Sequence, residues 1–131
     1  MISIDKAKRL KELGLMWNPK RGDWHKADYW PTPILFTLDE LRLDDKEIEQ
    51  VIENIKNRDD KIWLPRLDQL LDEIEKLGYW WLFSNNYCVI GKGNNVGDNV
   101  PGQRFNVYND IIEDIIADAL IWILENEDKK L

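Results

Sequence analysis

The chain has 131 residues, 44% hydrophobic and 33% charged, with a formal net charge of −7 at pH 7. That length and balance predict one globular domain over 1–131 with a substantial core rather than a disordered segment. The excess of carboxylates argues against a free-standing nucleic-acid binder, which needs Lys and Arg to neutralise phosphates, and against adhesion to an anionic membrane surface.

Ser3 is placed to cap a first helix whose apolar positions Ile4, Ala7, Leu10 and Leu13 share one face, with Gly14 as its stop. Asn18-Pro19-Lys20-Arg21-Gly22 is turn chemistry flanked by Trp17 and Trp24, which predicts a short aromatic hairpin. Pro31 and Pro33 restrict the next segment and leave residues 34–37 as an edge strand. Asp44, with Glu47 three residues on, reads as a capping box. Ile48, Val51, Ile52 and Ile55 then recur at helical spacing, and residues 57–60 break that helix.

Pro65 suits the first turn of a helix with the buried stripe Leu67, Leu70, Leu71, Ile74 and Leu77, ended by Gly78. Residues 79–84 and 87–92 are aromatic and β-branched runs around Asn85-Asn86, a hairpin signal. A glycine- and asparagine-rich loop leads to a third strand over 103–108, with Phe105 and Val107 facing inward. Asp110 and Glu113 box the start of a last helix that is apolar over more than half its circumference. Its buried positions include Ile112, Ile115, Ile116, Ala119 and Ile123, which should share one core with Leu67, Leu70, Leu71, Ile74, Trp80 and Phe105. The wide arc, with Trp122 and Leu124 near its margins, needs cover from the helix at Asp44 and the Trp17–Trp24 hairpin, or from a second copy in a homodimer.

The expectation is an α+β fold, an antiparallel sheet with helices packed on it. The N-terminal portion, 1–60, is helix, aromatic hairpin, helix, and the C-terminal portion, 61–131, is α-β-β-β-α. Trp63-Leu64-Pro65-Arg66-Leu67-Asp68-Gln69-Leu70-Leu71, Gly78-Tyr79-Trp80-Trp81 and Ala117-Asp118-Ala119-Leu120-Ile121-Trp122-Ile123-Leu124 resemble the small ABA-sandwich proteins of phages and prophages. The resemblance covers about the last half of the chain and rests on packing motifs. It implies that a helix, a short antiparallel sheet and a second helix form an α–β–α unit, and it brings no activity and no functional residue. The same element order occurs in double-stranded RNA-binding domains, which reach phosphates and 2′-hydroxyls with basic residues. Residues 65–131 carry six Lys or Arg against twelve Asp or Glu, the wrong sign for that chemistry.

Seven tryptophans stand beside one histidine, one cysteine, two serines and two threonines, so apolar area is plentiful and nucleophiles and proton carriers are scarce. Gly91-Lys92-Gly93-Asn94-Asn95-Val96-Gly97 resembles a phosphate loop in composition, but it runs toward a strand rather than opening a helix, so a hairpin loop is expected. His25, with Asp23, Asp28 and a distant Ser84, lacks any spacing that specifies a triad. Cys88 lies in a strand as a buried thiol with no internal disulfide partner, and no Cys/His spacing suits zinc. No catalytic, cofactor-binding or metal-ligating residue is therefore assigned, and no cofactor is expected. The N-terminus lacks the apolar core of a signal peptide, and the longest purely apolar run, 119–124, falls far short of the roughly 20 residues that span a bilayer. A cytoplasmic protein is expected.

Two groups are candidates for an interaction surface. Trp17, Trp24 and Trp30, with Tyr29, crowd a turn-rich segment and read either as core or as a binding hot spot. Asp110, Asp114 and Asp118 fall at i, i+4 and i+8 on one face of the last helix, and read either as a solvated stripe or as a contact for a basic partner. The functional expectation is a phage- or prophage-type acidic protein that acts as a non-catalytic protein-interaction module toward an unidentified protein partner. An acidic inhibitor or nucleic-acid mimic, and a small carboxylate-dependent enzyme, are the alternatives.

Overall fold

The computed structural model describes residues 1–20, 22–36, 44–56, 58, 60–84, 87–93, 95–96, 102–106 and 111–127. Among these the elements run α1 (Ile4–Glu12), β1 (Trp24–Ala27), β2 (Ile34–Leu35), α2 (Asp45–Lys56), β3 (Lys61–Leu64), α3 (Leu67–Lys76), β4 (Tyr79–Phe83), β5 (Tyr87–Lys92), β6 (Gln103–Asn106) and α4 (Ile112–Glu127). The fold is α+β, with two three-stranded antiparallel sheets ordered β2-β1-β3 and β4-β5-β6.

α1 ends as its sequence requires. Gly14 takes φ +95°, and the N–H groups of Gly14 and Leu15 donate to the carbonyls of Lys11 and Leu10, each at 3.0 Å. This closes the last turn in a Schellman pattern that only a residue tolerant of positive φ completes cheaply. The start differs from expectation. The Ser3 side chain makes no capping bond, and its backbone N–H donates instead to Asp114 Oδ1 at 2.7 Å. A carboxylate on a distant helix thus satisfies a donor that local chemistry was expected to serve.

Two further expectations are corrected in the first sheet. The backbone turns ahead of β1, where the Asp23 N–H donates to the Lys20 carbonyl at 3.0 Å, but this turn does not join paired strands. The hairpin is instead β1–β2, joined through residues 28–33, with Trp24 opposite Leu35 and His25 opposite Ile34. The sheet also gains β3, a strand that the sequence pattern assigned to no element, with Trp24 opposite Leu64 and His25 opposite Trp63. The sheet of the N-terminal portion therefore takes its third strand from beyond residue 60. β2 is the edge strand that Pro31 and Pro33 imply.

Pro65 precedes the N-cap of α3 rather than lying in its first turn. Arg66 is the N-cap, and its backbone N–H donates to Gln69 Oε1 at 2.9 Å. Asp44 behaves as expected, accepting the Glu47 N–H at 2.8 Å ahead of α2.

One core runs through the molecule. It joins Ala7 and Leu10 of α1, Ile62 and Leu64 of β3, Leu70 and Ile74 of α3, Tyr79, Cys88 and Ile90 of the second sheet, and the buried face of α4. Each large side chain fully buried there contributes about 1.5–3 kcal/mol relative to exposure. α4 packs against α1, α3, β5 and β6, so its wide apolar arc is covered by α1 rather than by α2 or a 17–24 hairpin. Two core expectations fail. Ile112 is 41% exposed, and Trp80, though buried, lies outside the core cluster. The second sheet turns Tyr79, Trp81, Phe83, Cys88, Ile90 and Phe105 toward the helices, and Trp80 projects from the other face. The helices α3 and α4 also pack on each other. No described helix is long and apolar enough to cross a membrane.

α2 stands apart. Its apolar stripe, Ile48, Val51, Ile52 and Ile55, is only half-buried, and none of its residues is buried.

Candidate interaction site

Asp23 is the polar anchor of the region, a carboxylate only 2% exposed. Its Oδ2 accepts the Trp17 indole N–H at 2.9 Å and the Lys20 backbone N–H at 3.0 Å. Its Oδ1 accepts the Gln69 amide at 2.7 Å and lies 3.6 Å from the Arg66 guanidinium, which also donates to the Gly22 carbonyl at 2.9 Å. One side chain thus closes the turn ahead of β1, fixes the Trp17 ring and ties the first sheet to the start of α3. A buried carboxylate is tolerable only with this many donors around it.

The first sheet has two unlike faces. Strand alternation puts Trp24, Ile62 and Leu64 toward the core, and His25, Ala27, Lys61 and Trp63 on the other side. There an aromatic box forms: the His25 ring centroid lies 5.2 Å from Trp17, 5.0 Å from Trp30 and 5.8 Å from Phe36. Burial lowers the His25 pKa, the Lys61 charge lowers it further, and a backbone hydrogen bond with Ile34 and the Asp23 charge oppose them. The imidazole is therefore neutral at pH 7, and its Nδ1 is buried with no hydrogen-bond partner among the described residues. Lys61 holds its ammonium 3.7 Å above the Trp30 ring, a cation–π contact, and burial lowers its pKa.

Beside this box lies a groove of about 180 Å³ between the C-terminal ends of α1 and α2 and the strand β3. Leu10, Leu15, Trp17, Ile55, Trp63 and Pro65 make its apolar walls, and Met16, 61% exposed, stands at its edge. Lys11, Lys56 and Lys61 also line it. The Lys11 ammonium donates to the Lys61 and Arg58 carbonyls at 2.6 and 3.1 Å, which pins a cation at the edge of β3. Arg58 adds a further cation nearby, paired with Asp60 at 2.7 Å. In the groove wall, the Trp63 indole Nε1 is buried with no acceptor among the described residues.

The residues singled out in the sequence fall into three places. Trp17 and Trp30 meet through His25, and Trp17 also walls the groove. Trp24 lies on the core face of β1, half-buried. Asp114 and Asp118 face α1: besides the Ser3 contact, Lys6 Nζ donates to Asp118 Oδ2 at 2.8 Å, and Arg9 reaches Glu125 at 3.1 Å. Asp110 lies outside the described residues. Lys61 and Trp63 were missed, and the only signal was the four-residue alternation Lys61-Ile62-Trp63-Leu64.

The remaining chemical candidates stay dispersed. Ser84 is exposed at the end of β4, and Cys88 is buried, its thiol pushed up to about 11 by burial. Among the described residues no three His, Cys, Asp or Glu gather into a metal-binding group. No family model matches the chain, and no curated protein or solved structure matches it either.

Proposed function

We propose that this chain is a non-catalytic protein-interaction module of phage or prophage type, and that the groove between α1, α2 and β3 is its docking site. The observation that carries the reading is the groove itself: an apolar slot one of whose walls is α2, an amphipathic helix none of whose residues the chain buries. Exposed apolar area arranged around a concavity is the usual mark of a binding surface. The side chains best suited to chemistry are already engaged or buried. Asp23 is surrounded by donors, His25 is boxed by rings, and the Cys88 thiol is buried. On α4 the carboxylates Asp114, Asp118 and Glu125 accept bonds from α1, which weighs against a free acidic ridge along that helix.

The test is comparative capture from a lysate of the source cells with the wild-type chain and the Met16→Glu and Ile55→Glu variants. The reading expects at least one protein held by the wild type and lost with both variants. A recovered set indifferent to both substitutions, or an empty one, overturns it.

A further inference from the structure

We propose that the groove takes an acidic peptide that inserts one large apolar side chain, an inference that rests on the groove being the docking site. Two features of the site converge on that ligand.

The first is size. A dry apolar cavity of about 150 Å³ accommodates a benzene ring. The groove, at about 180 Å³, is therefore large enough for one aromatic or long aliphatic side chain. The walls of Leu10, Leu15, Trp17 and Ile55 suit such an anchor.

The second is charge. The chain carries −7 overall, yet Lys11, Lys56 and Lys61 line this one slot and Arg58 stands beside it. Two of the lysine side chains are held rather than loose. Lys11 is fastened to two carbonyls and Lys61 is laid over Trp30. Charges farther than about 8 Å are largely screened at physiological ionic strength, so a ligand in the groove responds chiefly to the charges that line it. Acidic residues flanking the anchor would meet them.

A purely apolar occupant would bring no counter-charge to the lysines of the groove, and a basic one would be repelled.

The experiment titrates the full-length, 15N-labelled chain with three acetylated, amidated pentapeptides and follows the Trp63 indole signal, assigned with Trp63→Phe. The probes are Glu-Asp-Phe-Asp-Glu, its glycine-centred analogue Glu-Asp-Gly-Asp-Glu, and the basic analogue Lys-Lys-Phe-Lys-Lys. The expected result is a saturable shift with the first. Binding should be about tenfold weaker or worse for the glycine peptide, and absent for the basic one. Lys56→Gln and Lys61→Gln should each weaken binding of the first probe by about fivefold, with the rest of the spectrum unchanged. Equal or better binding of the basic peptide overturns the acidic assignment and leaves the docking-module reading standing. No shift with any probe at millimolar concentration overturns this proposal, while the docking-module reading is judged by the Met16→Glu and Ile55→Glu capture. A Trp63 signal that moves with protein concentration in the absence of peptide makes the occupant a second copy of the chain, and overturns the proposal too.

Discussion

The indole of Trp80 occupies the space that a side chain on Gly91 would need. The two residues are cross-strand partners on β4 and β5, and a Cβ at Gly91 would collide with Cζ2, Cε2 and Nε1 of the ring. This explains how Trp80 is only 6% exposed while lying on the sheet face turned away from the core. The glycine gives up side-chain packing in a strand, and the tryptophan restores it from across the ladder. Gly91→Ala should therefore destabilise the fold by about 1–3 kcal/mol, because the colliding atoms belong to a rigid ring. Urea denaturation of Gly91→Ala, Trp80→Leu and the double variant measures it. The alanine should cost much less in the Trp80→Leu background. Equal cost in both backgrounds would show that the ring is not what excludes it.

The phase of that strand illustrates where sequence patterning stops. Tyr79, Trp80, Trp81, Leu82 and Phe83 are all bulky, so no apolar–polar alternation says which face is inward, and a one-residue slip inverts the answer. The deciding fact is a glycine on the neighbouring strand. Helices fared better: the stripes of α1, α3 and α4 are periodic enough to place Ala7, Leu10, Leu70, Ile74, Ile116 and Ile123 in the core. β3 escaped notice because four alternating residues between a charged break and Pro65 resemble a connector. Aromatic crowding around Trp17 and Trp30 was visible, but not the strand that carries Lys61 and Trp63 into the same region. Nor does spacing reveal that Asp114 and Asp118 lie against α1, since complementary charges far apart in sequence announce no pairing until the helices are docked.

Asp23 should prove irreplaceable by its own amide. Among the described residues, every polar group that reaches its two oxygens is a donor: Trp17, Lys20, Gln69 and Arg66. Asparagine keeps the shape but turns two N–H donors toward some of them. Asp23→Asn is thus expected to cost about 3 kcal/mol, comparable to Asp23→Ala, since both leave buried donors unmet. Thermal denaturation of the two variants decides this. A near-neutral asparagine would show that the carboxylate charge and its second acceptor contribute little.

The thiol of Cys88 should be inert in the native state. It is fully buried in the core, and burial raises its pKa to about 11, so almost none is thiolate at pH 8. Labelling with an aromatic disulfide reagent should wait on unfolding, with the logarithm of its rate rising linearly with added denaturant. Stoichiometric reaction within minutes in buffer alone would place the thiol at an accessible surface.

His25 should make the fold acid-sensitive in a defined window. Its pKa is lowered in the folded chain by burial and by Lys61, from an unfolded value of 6.5. Between the folded and unfolded values the unfolded chain binds a proton that the folded chain does not, so stability falls as pH falls. The contribution is complete above pH 6.5 and is lost progressively below it, down to the folded pKa. The physical cause is the box of Trp17, Trp30 and Phe36, which offers an imidazolium no water and places Lys61 nearby. Carboxylates titrate with the same sign but mostly below about pH 5, so the interval from about pH 7.5 to 5.5 isolates the histidine. His25→Phe keeps a ring in the box and removes the titration. The wild-type Tm should drop across that interval, and the variant's should stay nearly flat. Equal drops in the two proteins would mean that the box admits water or that His25 takes its proton at no cost to the fold.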